Sequence, residues 1–199
     1  RRDLYAAIKG YQAARGQTEQ LDADQERLLE LTLRDFRRNG LELNDADLAK
    51  LVAIRTRLTE LGTQFQQNLN ENASKITVSA KELEGLPEAY VARLEKTKDG
   101  GAVVTCKYPD YVPFMENARS GEARRRLYLA FQTREAERNL PLLAEAIKLR
   151  DEEAKLLGYA THADFVTGDQ MAKSAAAVKE FLGSLQQKLK VKRDDDYRK

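Results

Sequence analysis

The side chains that could do chemistry in this chain are few. His162 is the single histidine and Cys106 the single cysteine. A zinc hydrolase needs two or three imidazole or carboxylate ligands converging at roughly 2 Å, with a general base beside the metal-bound water. His162 with Asp164 or Cys106 offers one imidazole and no ligand spacing, and the sequence holds no His-Glu-x-x-His. No metal ligand is therefore assigned, and His162, at the start of a predicted helix, is read as structural. Attack by Cys106 would need a base to make the thiolate. Its β-branched neighbours Val103, Val104 and Thr105 argue instead for a small buried hydrophobe. Gly100-Gly101 reads as a turn rather than a phosphate loop. Glu152 and Glu153 are adjacent on a helix and diverge, so they do not pair for acid–base work. No catalytic residue is assigned.

Binding signals are also sparse. Arg34, Arg37 and Arg38 are diluted by Glu26, Glu30 and Asp35, and 34 basic against 32 acidic residues leave a net charge of +2. Phosphate binding needs a concentrated field, so no nucleic-acid partner is expected. Arg124, Arg125 and Arg126 point several ways around one helix. Tyr108, Tyr111 and Phe114 sit in a segment punctuated by Pro109 and Pro113. Such aromatics line a peptide groove or anchor a loop to the core, and the anchor is the preferred reading. The amides of Gln66-Gln67-Asn68 and Asn70-Glu71-Asn72 read as a polar helix end. No run approaches 18 apolar residues, so neither a transmembrane helix nor a membrane partner is expected. Arg1-Arg2-Asp3 lacks the apolar core of a signal peptide. A lone cysteine rules out an internal disulfide framework and favours a reducing compartment.

The elements that would position these residues are mainly helical. A first helix spans Asp3 to Ala14 with Gly16 ending it, and Asp22 caps a second, with Leu28, Leu29, Leu33 and Phe36 inward, that stops at Gly40. Asn44 begins the longest helix, reaching about Asn72, with Leu48, Leu51, Leu58, Leu61, Phe65 and Leu69 as one stripe. The period then changes. Ile76, Val78 and Ala80 alternate and residues 103–106 form a β-branched run, which predicts two short paired strands in an insertion around 75–107. Between them Pro87 to Lys96 reads as a helix and Asp99-Gly100-Gly101 as a turn. Glu122 starts a helix, preceded by Gly121 and ending near Arg138. Asn139 is a good N-cap for the next, with Pro141 in its first turn. Leu140, Leu143, Ala144, Ile147, Ala154 and Leu157 form its apolar face, while Lys148, Asp151, Glu152 and Lys155 face outward. Gly158 stops it, and Thr161 with Asp164 restarts the chain. Ser174 caps a last helix through about Lys190 with Val178, Phe181, Leu182, Leu185 and Leu189 as its apolar face. Residues 192–199 are a charged terminus with little to bury. The result is one mainly α domain over residues 1–199 with a small two-stranded β insertion. Its ending straight after an amphipathic helix suggests a boundary imposed on a longer protein.

The wording of several stretches resembles the thimet oligopeptidase and neurolysin family of zinc metallopeptidases. The most specific runs from Leu149 to Val166, followed by Met171-Ala172-Lys173 and then Val178, Phe181, Leu182 and Leu185. Arg37 to Leu41, Phe65 to Asn72, Glu82 to Pro87 and Lys107 to Pro113 add to it in the family's order, covering nearly all 199 residues. What they cover is the family's helical N-terminal part. The zinc-binding helix lies further along in that family and has no match here.

The resemblance implies a multi-helix N-terminal lobe of an enzyme that hydrolyses short oligopeptides in a deep narrow channel. It implies zinc in the parent enzyme and none bound by these residues. The expected partners are short peptides and a missing C-terminal catalytic part, and the expected compartment is the cytoplasm. No site residue carries over, so substrate-binding positions stay unassigned. Two other readings stand beside this one. One is a helical module that binds peptides without catalysis, and the other is a scaffold that uses an apolar face for protein partners.

Overall fold

The computed structural model describes residues 1–198, with only the backbone of residues 15–18. In chain order it forms α1 (Arg2–Thr18), α2 (Ala23–Arg38), α3 (Asp45–Asn70), β1 (Lys75–Val78), α4 (Glu88–Arg93), β2 (Glu95–Lys96), β3 (Ala102–Thr105), α5 (Tyr108–Asn117), α6 (Gly121–Gln132), α7 (Ala136–Leu156), α8 (His162–Thr167) and α9 (Ala175–Tyr197). A 3-10 turn at Ala80–Leu83 follows β1. The mainly helical expectation holds. No helix among the described residues is long and apolar enough to cross a membrane. The chain divides into two compact units, residues 1–59 together with the chain from Ala146 onward, and Glu60–Glu145.

The first unit is built by local capping and by two arginines. Gln25 N–H donates to Asp22 Oδ1 at 2.8 Å while the Gln25 side chain accepts from Asp22 N–H at 3.0 Å, a reciprocal cap that starts α2. Gly40 ends it at φ +80°, with Leu41 N–H on Phe36 C=O and Gly40 N–H on Arg37 C=O. A Cβ there would meet Leu51 Cδ2 at 2.5 Å on a left-handed backbone, so any other residue is strained at this position. Leu33 and Leu51 are buried, and Tyr5 packs on Phe36 with ring centroids 5.5 Å apart. Arg55 then spends its guanidinium on three partners, Glu153 Oε1 at 2.7 Å, Asn39 Oδ1 at 2.9 Å and Arg38 C=O at 2.9 Å. Arg38 lies over the Phe165 ring at 4.3 Å, bonds the Tyr159 hydroxyl at 3.3 Å and pairs with Asp169 at 3.5 Å. Tyr159 and Phe165 of the family-like wording thus have a structural use, seating α8 against Arg38.

The second unit carries the sheet. β3 lies between β1 and β2, antiparallel to both, with Val78 opposite Ala102 and Glu95 opposite Val103. Val78, Ala102, Val104, Phe114, Ala123, Leu127 and Phe131 form one buried cluster with Tyr90 and Leu94. Gly101 is buried so close to β1 that a Cβ would lie 2.1 Å from Val78 C=O.

Several boundaries differ from the sequence expectations. α1 continues through Gly16 to Thr18, since a glycine inside a helix costs only about 1 kcal/mol. α3 ends at Asn70, slightly before the expected Asn72. The sheet has three strands, the extra one being the charged edge pair Glu95–Lys96, which truncates the helix expected from Pro87 to Lys96. Residues 109–113 are not a bent loop but part of α5, with Pro113 inside it. Pro113 has no N–H to give Pro109 C=O, and the Arg93 guanidinium donates to that carbonyl instead. α6 stops at Gln132, and Arg138 belongs to α7.

Two corrections concern faces rather than ends. Asn139 is no cap. α7 starts a turn earlier, and Asn139 is buried, accepting from Asn68 Nδ2 at 2.7 Å while Gln64 donates to Asn68 Oδ1 at 2.9 Å. Buried amides demand partners, and each supplies the other's. The expected apolar face of α7 is also reversed in part. Leu140, Leu143 and Ile147 are exposed, whereas Glu153 is buried and Ala154 fully so. Leu28 on α2 is likewise exposed. α9 runs on to Tyr197, beyond Lys190, with Phe181, Leu182, Leu185 and Leu189 exposed instead of packed.

Candidate peptide-facing cleft

The residues singled out for chemistry are mostly occupied with structure. His162 opens α8 beneath Thr161, whose hydroxyl accepts from Asp164 N–H at 3.1 Å. Asp164 is not a free ligand, since one carboxylate oxygen takes the Thr161 hydroxyl at 2.8 Å and the other the Ala175 N–H at 3.3 Å. His162 Nδ1 is buried without a hydrogen-bond partner among the described residues, and Phe165 is its aromatic neighbour at 6.2 Å. Among the described residues, no three His, Cys, Asp or Glu side chains gather as a metal would require. One imidazole and an engaged carboxylate do not fit the zinc that the resemblance implies, and no catalytic step is derived through it.

The carboxylates and arginines follow suit. Glu153 is tied to Arg55, while Glu152 is exposed. Arg34 pairs with Asp35 at 2.8 Å. Arg126 bonds Glu82 at 2.6 Å and Thr77 C=O at 3.2 Å, and Arg124 donates to Ala118 C=O. These contacts scatter the positive charge along the fold. Burial pushes the Cys106 thiol up, with the Arg134 guanidinium pulling the other way. A buried thiol held protonated is a poor nucleophile.

The aromatic segment gives a different result. Phe114 is fully buried in the core, as an anchor should be. Tyr111 stacks on Phe131 at 4.0 Å, and burial is the main cause raising its hydroxyl pKa. Tyr108, two-thirds exposed, meets Phe131 edge-on at 5.7 Å. Of these rings, Tyr108 and Phe131 border a cleft of about 470 Å³ within the second unit. Its walls are Gln66, Leu69, Asn70 and Asn72 from the end of α3 and just beyond, Cys106 to Pro109 at the β3–α5 corner, and Phe131 and Arg134 at the end of α6. Arg134 lies 3.7 Å over the Phe131 ring and donates to Phe131 C=O at 2.6 Å. A second hollow, of about 260 Å³, shares Leu69 and Arg134 and adds Phe65, Leu140 and Leu143.

An amide-lined cleft with two aromatic rings in its wall and an adjoining apolar hollow can hold an extended peptide. The amides suit its backbone and the hollow suits its side chains. Sequence reasoning discounted both contributors. The polar run at residues 66–72 read as a helix end, and Arg134 drew no notice. The available signal was the amide spacing, since Gln66 and Asn70 stand one turn apart and bond side chain to side chain at 3.0 Å.

Known proteins give these features a setting. The pattern of Peptidase family M3 matches residues 114–199. The chain is 32% identical over 196 residues to saccharolysin of Saccharomyces cerevisiae, a match spanning 95% of this chain and 27% of that protein. It is 30% identical over 185 residues to a thimet-like oligopeptidase of Dictyostelium discoideum, spanning 91% and 28%. With oligopeptidase A of Escherichia coli it shares 28% identity over 180 residues, spanning 83% and 26%. The chain spans about a quarter of the length of these curated relatives. Together with the mainly helical fold and its small sheet, these matches establish that the chain belongs to peptidase family M3.

Proposed function

We propose that this chain supplies part of the peptide-facing wall of a zinc metalloendopeptidase that cleaves short oligopeptides, and that it does not cleave them by itself. The observation that carries the reading is the cleft of the second unit, set in a chain whose likeness to saccharolysin extends over 95% of its length. In this reading zinc, its ligands and the water-activating carboxylate come from sequence beyond these residues. The wall acts by limiting access and by holding an extended chain, so long or folded polypeptides are excluded by shape rather than by chemistry. The exposed apolar residues of α9, Phe181, Leu182, Leu185, Leu189 and Val191, suit contact with such a catalytic part. A reducing compartment, the cytoplasm, is the proposed setting, and the buried free thiol of Cys106 suits it.

A paired assay on the purified 199-residue chain tests this. Bound zinc is quantified, and a quenched fluorescent short peptide is followed with a chelator control. The expected result is no stoichiometric zinc and no turnover, with chelator-sensitive cleavage appearing when the zinc-bearing remainder of a relative such as saccharolysin is added. Stoichiometric zinc with chelator-sensitive turnover by the chain alone overturns the reading. The exposed face of α9 also favours a second reading, a catalytically inert module that binds peptides or protein partners. Self-association of the chain does not separate the two, because both leave that face uncovered. Rescue by the catalytic remainder does.

A further inference from the structure

The cleft of the second unit has an imbalance of charge. Two cations, Lys107 and Arg134, are in its wall, and no carboxylate is. Lys107 makes no side-chain hydrogen bond or ion pair among the described residues, and Arg134 makes only its bond to Phe131 C=O and its stacking on that ring. The acidic neighbours are committed elsewhere. Asp110 pairs with Arg93 at 2.9 Å and takes the Thr105 hydroxyl at 2.5 Å. Glu135 accepts from Asn72 at 2.8 Å and from Arg138 at 3.2 Å. A guanidinium has five N–H donors in a planar fork. Arg134 leaves most of these open at the point where the polar cleft meets the apolar hollow of Phe65, Leu140 and Leu143.

We propose that this junction recognises a peptide carboxylate next to an apolar side chain, with Arg134 and Lys107 binding the carboxylate and the Leu140–Leu143 hollow taking the side chain. The inference rests on the peptide-facing reading above and assigns the ligand chemistry of that same cleft. Charge-assisted hydrogen bonds are short and directional, so the carboxylate would fix the register of the peptide along the wall. The carboxylate can come from a free C-terminus or from an acidic side chain.

Calorimetric titration of the 199-residue chain decides the matter with three acetylated tetrapeptides built around leucine. One ends in a free carboxylate, one in an amide, and the third is an amide carrying a glutamate in place of the last residue. We expect the free acid to bind about tenfold more tightly than the amide at low salt, with the gap narrowing as salt rises. Recovery of tight binding by the glutamyl amide assigns the site to acidic side chains, and its failure to recover assigns the site to C-termini. Lys107→Gln and Arg134→Gln should each shrink the acid preference, and Arg134→Lys should restore part of it. Lys107 is exposed and makes no side-chain bond, so its variant keeps the test valid if Arg134→Gln disturbs the packing on Phe131. Equal binding of acid and amide, or an acid preference that survives both substitutions, overturns the carboxylate proposal and leaves the peptide-facing wall standing. No binding of any of the three overturns both.

Discussion

The two units hold themselves together by different means. In the Glu60–Glu145 unit a continuous cluster from Val78 through Val104 and Phe114 to Leu127 is closed to solvent, and the strands that build it are non-local partners. Among the described residues of the other unit the buried apolar side chains are few, chiefly Tyr5, Leu33, Leu51 and Ala154, while Leu28, Phe181, Leu182 and Leu189 stand exposed. That unit relies on caps, glycine stops and the two arginine clusters at Arg38 and Arg55. The difference teaches that amphipathic pattern alone does not decide burial. A helix with an apolar stripe is stable enough to form when well capped, and its stripe is buried only where another surface arrives to cover it.

The comparison breaks most visibly with a matched pair of truncations. Phe114→Ala should cost about 3–5 kcal/mol, because a side chain with 0% exposure leaves a cavity in a packed cluster. Phe181→Ala, at 64% exposure, should change stability by less than about 0.5 kcal/mol. Urea unfolding followed by circular dichroism measures both, and similar losses would erase the contrast drawn between the units.

Arg55→Ala comes next. It strands the buried Glu153 carboxylate, and because Arg55 is itself about one-third exposed the expected loss is about 2–3 kcal/mol, below the range for a fully buried pair. The double variant Arg55→Ala with Glu153→Gln should regain part of that loss, which a purely steric role for Arg55 would not allow. Gly101→Ala should cost about 1–3 kcal/mol, since its methyl would collide with Val78 C=O and force β1 and β3 apart. Asn139→Ser sharpens the question of what that residue does. A serine preserves an N-cap but cannot span to Asn68, so a loss of about 1–2 kcal/mol is expected, and an unchanged melting curve would return Asn139 to a capping role.

The pH effects are felt only outside the neutral range. Burial pushes the Tyr90 hydroxyl from the ordinary 10.0 up to about 12, helped by the Asp110 charge. A raised pKa means the folded state holds its proton more firmly, so this contribution is complete below pH 10 and is lost as pH rises from about 10 toward about 12. Tyr90→Phe should flatten that alkaline slope in the second unit. In the first unit the Tyr5 hydroxyl and the Lys9 ammonium hold the Glu42 carboxylate below its ordinary range. A depressed carboxylate contributes above its unfolded pKa and loses that contribution as pH falls through the folded one, so Glu42→Gln should blunt acid sensitivity there.

What the sequence determined by itself is whatever closes within a few residues. The Asp22–Gln25 box, the Ser174 and Thr161 caps and the left-handed Gly158 all involve partners three to five positions away. Their hydrogen bonds stand where the residue types put them, with Tyr159 N–H on Ala154 C=O at 2.8 Å and Gly158 N–H on Lys155 C=O at 3.0 Å. The alternation at 76–80 and the β-branched run at 103–106 likewise marked β1 and β3. Tertiary structure decided the rest, because the deciding partner was distant. Glu95–Lys96 becomes a strand only because β3 has a free edge. Pro113 is tolerated in α5 because Arg93 reaches the carbonyl it leaves bare. Asn139 is buried because Asn68 needs an acceptor 71 positions away. The cleft is the same kind of object. Its amides, rings and cations come from the end of α3, the β3–α5 corner and the end of α6, each ordinary in its own stretch, and only the fold gathers Lys107 and Arg134 in one cleft that adjoins an apolar hollow.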